Sequence, residues 1–119
     1  MKSEKLLKRL LGIVKEQEKS QKEDRLYVII RDDLSKSQKT VQGIHAASEF
    51  ILWEKRGNWI NGTVVCLKVK NEKELKDKEN WLKSKKIPYR SFIEPDIGHE
   101  TTALALIGKK GLFSELSLL

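Results

Sequence analysis

The alternation that begins at Arg25 limits this chain more than any other feature. Short apolar runs rich in β-branched residues are separated by stretches of helical periodicity, the pattern of βαβ units and of a sheet with parallel pairs. The run LYVII, Leu26 to Ile30, is apolar almost throughout, as expected of a central strand covered by helices on both faces. TVVCLKV, Thr63 to Val69, is the second strand, again rich in β-branched residues. PYRSFI and TTALALI supply two more, joined by a loop built on Glu94-Pro95-Asp96-Ile97-Gly98. The expected fold is α/β: a single domain with a four-stranded mixed sheet in β-α-β-α-β-β order, helices on its faces, preceded by an N-terminal amphipathic helix.

Between the first two strands a helix is expected from about Ser37 or Lys39 to Lys55, with Ser37 as its N-cap. Val41, Ile44, Ala47, Ser48, Ile51 and Leu52 recur at helical spacing and are assigned to its sheet face. Gly57-Asn58 and the turn-prone Asn61-Gly62 then return the chain to the sheet. Asn71 followed by Glu74 marks the capped start of another helix, ending near Lys85 before Pro88. Ahead of the domain, residues 3–23 read as a helix with Leu6, Leu7, Leu10, Leu11, Ile13 and Val14 on one side. Its end, KEQEKSQKED, carries almost nothing apolar and reads as a solvated linker. Residues 1–24 are thus an appended helix and linker, and residues 25–119 the domain.

A chain of 119 residues has room for one domain of ordinary size. Lys and Arg total 24 against 17 Asp and Glu, a formal charge of +7, which favours polyanionic partners such as nucleic acid or anionic membrane. No apolar run approaches the ~18 residues that span a bilayer, and the N-terminal leucines alternate with charges, so no membrane partner and a cytoplasmic location are expected. The lone Cys66 has no disulfide partner and no neighbour at metal-ligand spacing; a buried strand thiol is the expectation.

Chemistry-bearing side chains concentrate in RDDLSKSQKTVQGIHAASEF, Arg31 to Phe50, and FIEPDIGHETTALAL, Phe92 to Leu106. The first helix of the domain begins just beyond the carboxyl end of the first strand, where ligands of open α/β sheets bind and where helix N–H groups favour an anion. Lys36 and Lys39 stand there. If the third strand runs parallel to the first, its exit brings Asp96 to the same edge. Gln42, His45 and Glu49, spaced by three and four, share one flank of the helix. For His45 a hydrogen bond to a neighbouring strand and a catalytic role both stand, and no Ser or Cys is assigned as its nucleophile. His99 is a turn residue. Trp53, Trp59 and Trp81 read as packing anchors or as base-stacking platforms. The lysines of the Asn71 helix are interleaved with acids, as on a solvated face.

The series Arg31-x-Asp33-Leu34, Val41-Gln42-x-x-His45-Ala46, Glu94-Pro95-Asp96 and Thr102-Ala103-Leu104-Ala105-Leu106 resembles the second class of peptidyl-tRNA hydrolases, and most closely the short, divergent branch found in bacteria and their phages. The likeness runs through residues 25–119 in order. It implies hydrolysis of the ester joining a peptide to the terminal ribose of tRNA, a homodimer, and neither metal nor cofactor. It also implies a loop lysine acting with an acid of the β-β loop and with threonines beside it: here Lys36 or Lys39, Asp96, and Thr101 or Thr102. Asp96 would orient or partly deprotonate water, the lysine would stabilise negative charge, and Thr102 would position water or ester. Arg31, Asp33, Gln38, Gln42 and His45 would support the pocket. In the family's familiar form a lysine stands seven residues before the histidine; that position here is Gln38.

Two functions therefore follow as expectations: hydrolysis of peptidyl-tRNA or N-blocked aminoacyl-tRNA, and a non-catalytic tRNA- or protein-binding module on the same fold. The leading helix adds a candidate for self-association through Leu6, Leu7, Leu10 and Leu11.

Overall fold

The computed structural model describes residues 3–12, 24–54, 59 and 61–119. Helix α1 (residues 3–12) leads the chain. It is followed by β1 (Asp24–Arg31), α2 (Lys36–Trp53), β2 (Val64–Val69), α3 (Glu72–Ser84), β3 (Tyr89–Glu94), a 3-10 turn (Pro95–Ile97), β4 (Glu100–Lys109) and β5 (Ser117–Leu118). The expected extension of α1 through residue 23, with Ile13 and Val14, and the Gly57-Asn58 stop lie outside the described residues.

β1 is buried along almost its whole length because it occupies the middle of a mixed sheet ordered β3-β4-β1-β2-β5. It pairs parallel with β2 and antiparallel with β4, and β4 pairs antiparallel with β3. β3 therefore runs in the direction of β1, and the exits of β1, β2 and β3 meet the entry of β4 at one edge of the sheet.

Helices cover both faces, since alternate residues of the central strands point to opposite sides. Tyr27, Ile29, Leu67, Val69, Leu104 and Leu106 pack with Leu75 and Leu82 of α3 and with Phe113. Leu26, Val28, Ile30, Ala103 and Ala105 pack with Ala46 and Phe50 of α2. α3 begins where expected: Asn71 accepts the Glu74 N–H, and Glu72 and Glu74 complement the helix dipole.

Three expectations are corrected. The sheet has a fifth strand: beyond β4 the chain buries Phe113 under α3 and returns antiparallel to β2, pairing Leu67 with Leu118 and Lys68 with Ser117. The sheet face of α2 is the opposite of the one assigned. Gln42, Gly43, Ala46 and Phe50 are buried, while Val41, Ile44, Ile51 and Leu52 face outward. Small residues decide this, because a Cβ at Gly43 would lie 2.7 Å from Ile30 Cδ1, so only this face lets the helix sit close to the sheet. The α2 N-cap is Ser35, not Ser37: its hydroxyl accepts the Gln38 N–H, and the Gln38 side chain accepts the Ser35 N–H in return.

Cys66 also differs from expectation, being exposed. α2 lies over β1, β4 and β3, so the α2 side of β2 is left uncovered. Partial burial still pushes the thiol up from its ordinary value.

Candidate functional site

At the exit of β1 the Arg31 side chain is buried and held on every side. Its Nε and Nη2 donate to the two carboxylate oxygens of Asp33 at 2.9 Å each, and Nη1 donates to Glu100 at 2.8 Å and to the Thr101 carbonyl at 3.2 Å. The forked geometry of guanidinium suits this pairing. The guanidinium holds the Asp33 carboxyl below its usual range, and the two carboxylates raise the pKa of Arg31 in turn. On the far side Glu72 accepts the Thr101 N–H at 2.8 Å. Arg31, Asp33 and Thr101 therefore tie β1, β4 and α3 together.

A second cluster arises from a β-bulge. The pairing of β3 with β4 steps from Phe92 with Ala103 to Ile93 with Thr101, leaving Thr102 as the extra residue. A bulge redirects a side chain out of strict alternation. Fully buried, Thr102 donates from its hydroxyl to Gln42 Oε1 at 2.7 Å and approaches the Phe92 carbonyl at 3.3 Å. Gln42, also buried, donates through Nε2 to Glu94 Oε2 at 2.9 Å. The other Glu94 oxygen accepts the Asp96 N–H at 3.2 Å. Thr102, Gln42, Glu94 and the Asp96 backbone thus form one hydrogen-bonded series. The Gln42 donor and the Asp96 N–H, with a smaller effect of nearby His45, hold Glu94 below its ordinary value.

This series ends in an open cleft of about 400 Å³ lined by Ser37, Gln38, Val41, Gln42, His45, Glu94, Asp96 and Ile97. The first turn of α2 borders it and carries no acid to oppose an anion. His45 is exposed and stacks on Phe92, with ring centroids 4.3 Å apart and planes at 6°. That ring contact, between helix and strand, replaces the hydrogen bond considered for it. Asp96 is exposed in the 3-10 turn, closed by Gly98 and His99, both in left-handed conformation at φ 60° and 58°. The His99 N–H donates to the Glu94 carbonyl at 3.1 Å, so the histidine serves the turn through its backbone.

Of the expected site residues, Gln38, Gln42, His45, Asp96 and Thr102 gather at the cleft, Thr102 through Gln42. Arg31, Asp33 and Thr101 form the neighbouring closed cluster. Neither candidate lysine lines the cleft. Lys36 is exposed at the first position of α2, and Lys39 Nζ is 2.7 Å from Asp32, whose other oxygen lies 3.9 Å from Lys68. Asp32 is held below its usual value, first by the Lys39 hydrogen bond. Glu94 is the residue that sequence reasoning left without a role. It stands in the Glu-Pro-Asp motif, but only the folded chain shows it joining that motif to Gln42 and Thr102. Among the described residues no group of three or more His, Cys, Asp or Glu is placed to hold a metal ion. No described helix is long and apolar enough to cross a membrane.

No family model matches the chain, and no curated protein does. Among solved structures it is similar to a protein of unknown function from Agrobacterium tumefaciens, at 15% identity and a TM-score of 0.62. The match covers 82% of this chain and 98% of that one. At this identity the likeness concerns the fold alone.

Proposed function

We propose that this protein hydrolyses the ester of peptidyl-tRNA or of N-blocked aminoacyl-tRNA. The observation that carries the reading is the series Thr102–Gln42–Glu94–Asp96, which draws the Gln-x-x-His-Ala, Glu-Pro-Asp and Thr-Ala-Leu-Ala-Leu motifs into one cleft at the carboxyl edge of the sheet. In this mechanism Asp96, exposed at the cleft, orients the attacking water and takes up its proton. Glu94 fixes the Asp96 backbone and the Gln42 amide, and Thr102 fixes the other end of that amide. The α2 N-terminus, with Lys36 beside it, provides positive potential for the oxyanion and for phosphates near the tRNA terminus. Water attacks the ester carbonyl, the tetrahedral intermediate expels the ribose hydroxyl, and the proton released from water reaches that leaving oxygen.

The test is release of N-acetyl-aminoacyl groups from tRNA by the full chain. Asp96→Ala is expected to slow release by about 10²- to 10⁴-fold, the usual contribution of a positioned acid or base. Release no faster than that of Asp96→Ala and of the double variant Lys36→Ala/Lys39→Ala would sink the hydrolase reading.

The engagement of Lys39 with Asp32 supports a second reading, a tRNA-binding module without turnover. It predicts binding that weakens steeply with salt and no ester cleavage.

A further inference from the structure

Helix α2 is apolar on two opposite faces. Its inner face packs on the sheet; its outer face carries Ser37, Val41, Ile44, Ser48, Ile51 and Leu52, with no charge among them. Val41, Ile44, Ile51 and Leu52 are 48%, 61%, 55% and 75% exposed. On the same side of the sheet Val64 and Cys66 of β2 are uncovered as well. A surface helix normally turns charge outward, and here the outward stripe is uncharged and largely apolar, with charged residues only on the flanks.

The same chain carries a surface of matching form. All ten residues of α1 are exposed, so it lies off its own domain, and Leu6, Leu7, Leu10 and Leu11 form an apolar stripe at 50–57% exposure. The helix is roughly 15 Å long, and the outer stripe of α2 from Val41 to Leu52 spans roughly 17 Å. Lys5, Lys8 and Arg9 fall on the far side of α1, where they would stay in water once the leucines are covered. An isolated helix of this length is marginal in water, and docking is the ordinary way for it to persist.

We infer that the outer face of α2 is covered by α1 of a second copy, in a reciprocal exchange in which each chain gives one arm and receives one. Such an arrangement is closed and two-fold symmetric, and every chain uses the same two surfaces. The side chains of one arm-on-face contact expose an area on the order of 700 Å². The two contacts together would hide about twice that, the size of an ordinary specific interface. The inference does not depend on the hydrolase reading.

The two surfaces can be broken separately. Ile44→Asp spoils the face without touching the core, and Leu10→Asp spoils the arm outside the domain; circular dichroism would verify that both variants fold. Sedimentation of the full-length chain is expected to give a dimer, and each variant is expected to associate roughly thirtyfold or more weakly. Mixed together, the two variants should recover a heterodimer, because the intact arm of one fits the intact face of the other. A monomeric wild-type chain would overturn the inference. So would a dimer that survives Ile44→Asp, which would place the contact between two arms. A dimer that survives Leu10→Asp would place it between two α2 faces and would overturn it equally.

Discussion

Two clusters of polar side chains share the carboxyl edge of the sheet, and they differ in what they leave unused. Around Arg31 one guanidinium bridges two carboxylates and a carbonyl through four hydrogen bonds, so the side chain is committed to holding the fold. Around Glu94 the hydrogen bonds run in one direction, from the buried Thr102 hydroxyl through Gln42 to a carboxylate at an open cleft, with the Asp96 carboxylate exposed beside it. The first arrangement can hold strands and helices together. The second keeps acceptor capacity facing solvent, which is what a water-activating site requires. Arg31 and Asp33 open the same motif series as Gln42 and Asp96, yet the first pair is bound to its partner side chains while the Asp96 carboxylate stays exposed at the cleft.

The largest expected contrast lies in activity. If the cleft is the site, Asp96→Ala lowers ester release by about 10²- to 10⁴-fold while the denaturation midpoint stays within experimental scatter, because Asp96 is exposed and supports no core side chain. Arg31→Met should show the reverse emphasis. It strands Asp33 and Glu100, whose side chains are 39% and 44% exposed, so water screens part of the loss and about 2 kcal/mol of stability is expected to go. Urea melts of both variants, set beside their rates, would break the comparison if Asp96→Ala proved the less stable of the two.

A pH dependence of stability follows from the clamp. The folded pKa of Asp33 is depressed by Arg31, so its contribution is fully present above the unfolded carboxyl value of about 4. It is lost as pH falls through that value toward the lower folded one. In Arg31→Met the cause of the depression is gone, and stability should decline less between about pH 5 and pH 2 than in the parent chain. Urea midpoints across that window would measure the difference; parallel curves would remove Asp33 from the clamp.

Strands β1 to β4 and helix α3 were legible because their signals agree. Apolar runs of strand length stand between turn residues, and Asn71 with Glu74 caps a helix of ordinary length. The orientation of α2 was not, since hydrophobicity cannot choose between two apolar faces. What chose was the close approach allowed at Gly43 and Ala46, a matter of shape. β5 is only two residues long and carries no periodicity to read. Gln42, Asp96 and Thr102 stand in motifs that the sequence displays, but their meeting at the cleft depends on the bulge that turns Thr102 toward Gln42, a property of pairing between β3 and β4. Glu94 was missed for a related reason. An acid at a strand end reads as a solvated residue until its hydrogen-bond partners are placed beside it.

The smallest expected effect tests an acid that belongs to neither cluster. Asp32 holds Lys39 at 2.7 Å and Lys68 at 3.9 Å, outside both the clamp and the cleft. These pairs are solvent-screened, so Asp32→Asn should leave the urea midpoint nearly unchanged. Its effect on tRNA binding should exceed its effect on the fold. Removing one negative charge and freeing two lysines strengthens phosphate contact, and the slope of log affinity against log salt should steepen by about one or two. Under the hydrolase reading the ester-release rate at limiting tRNA rises with that affinity, because a freed Lys39 adds positive charge near the first turn of α2. Under the binding-module reading affinity rises and release stays absent. An unchanged salt slope would mean that Lys39 and Lys68 do not meet the phosphates under either reading.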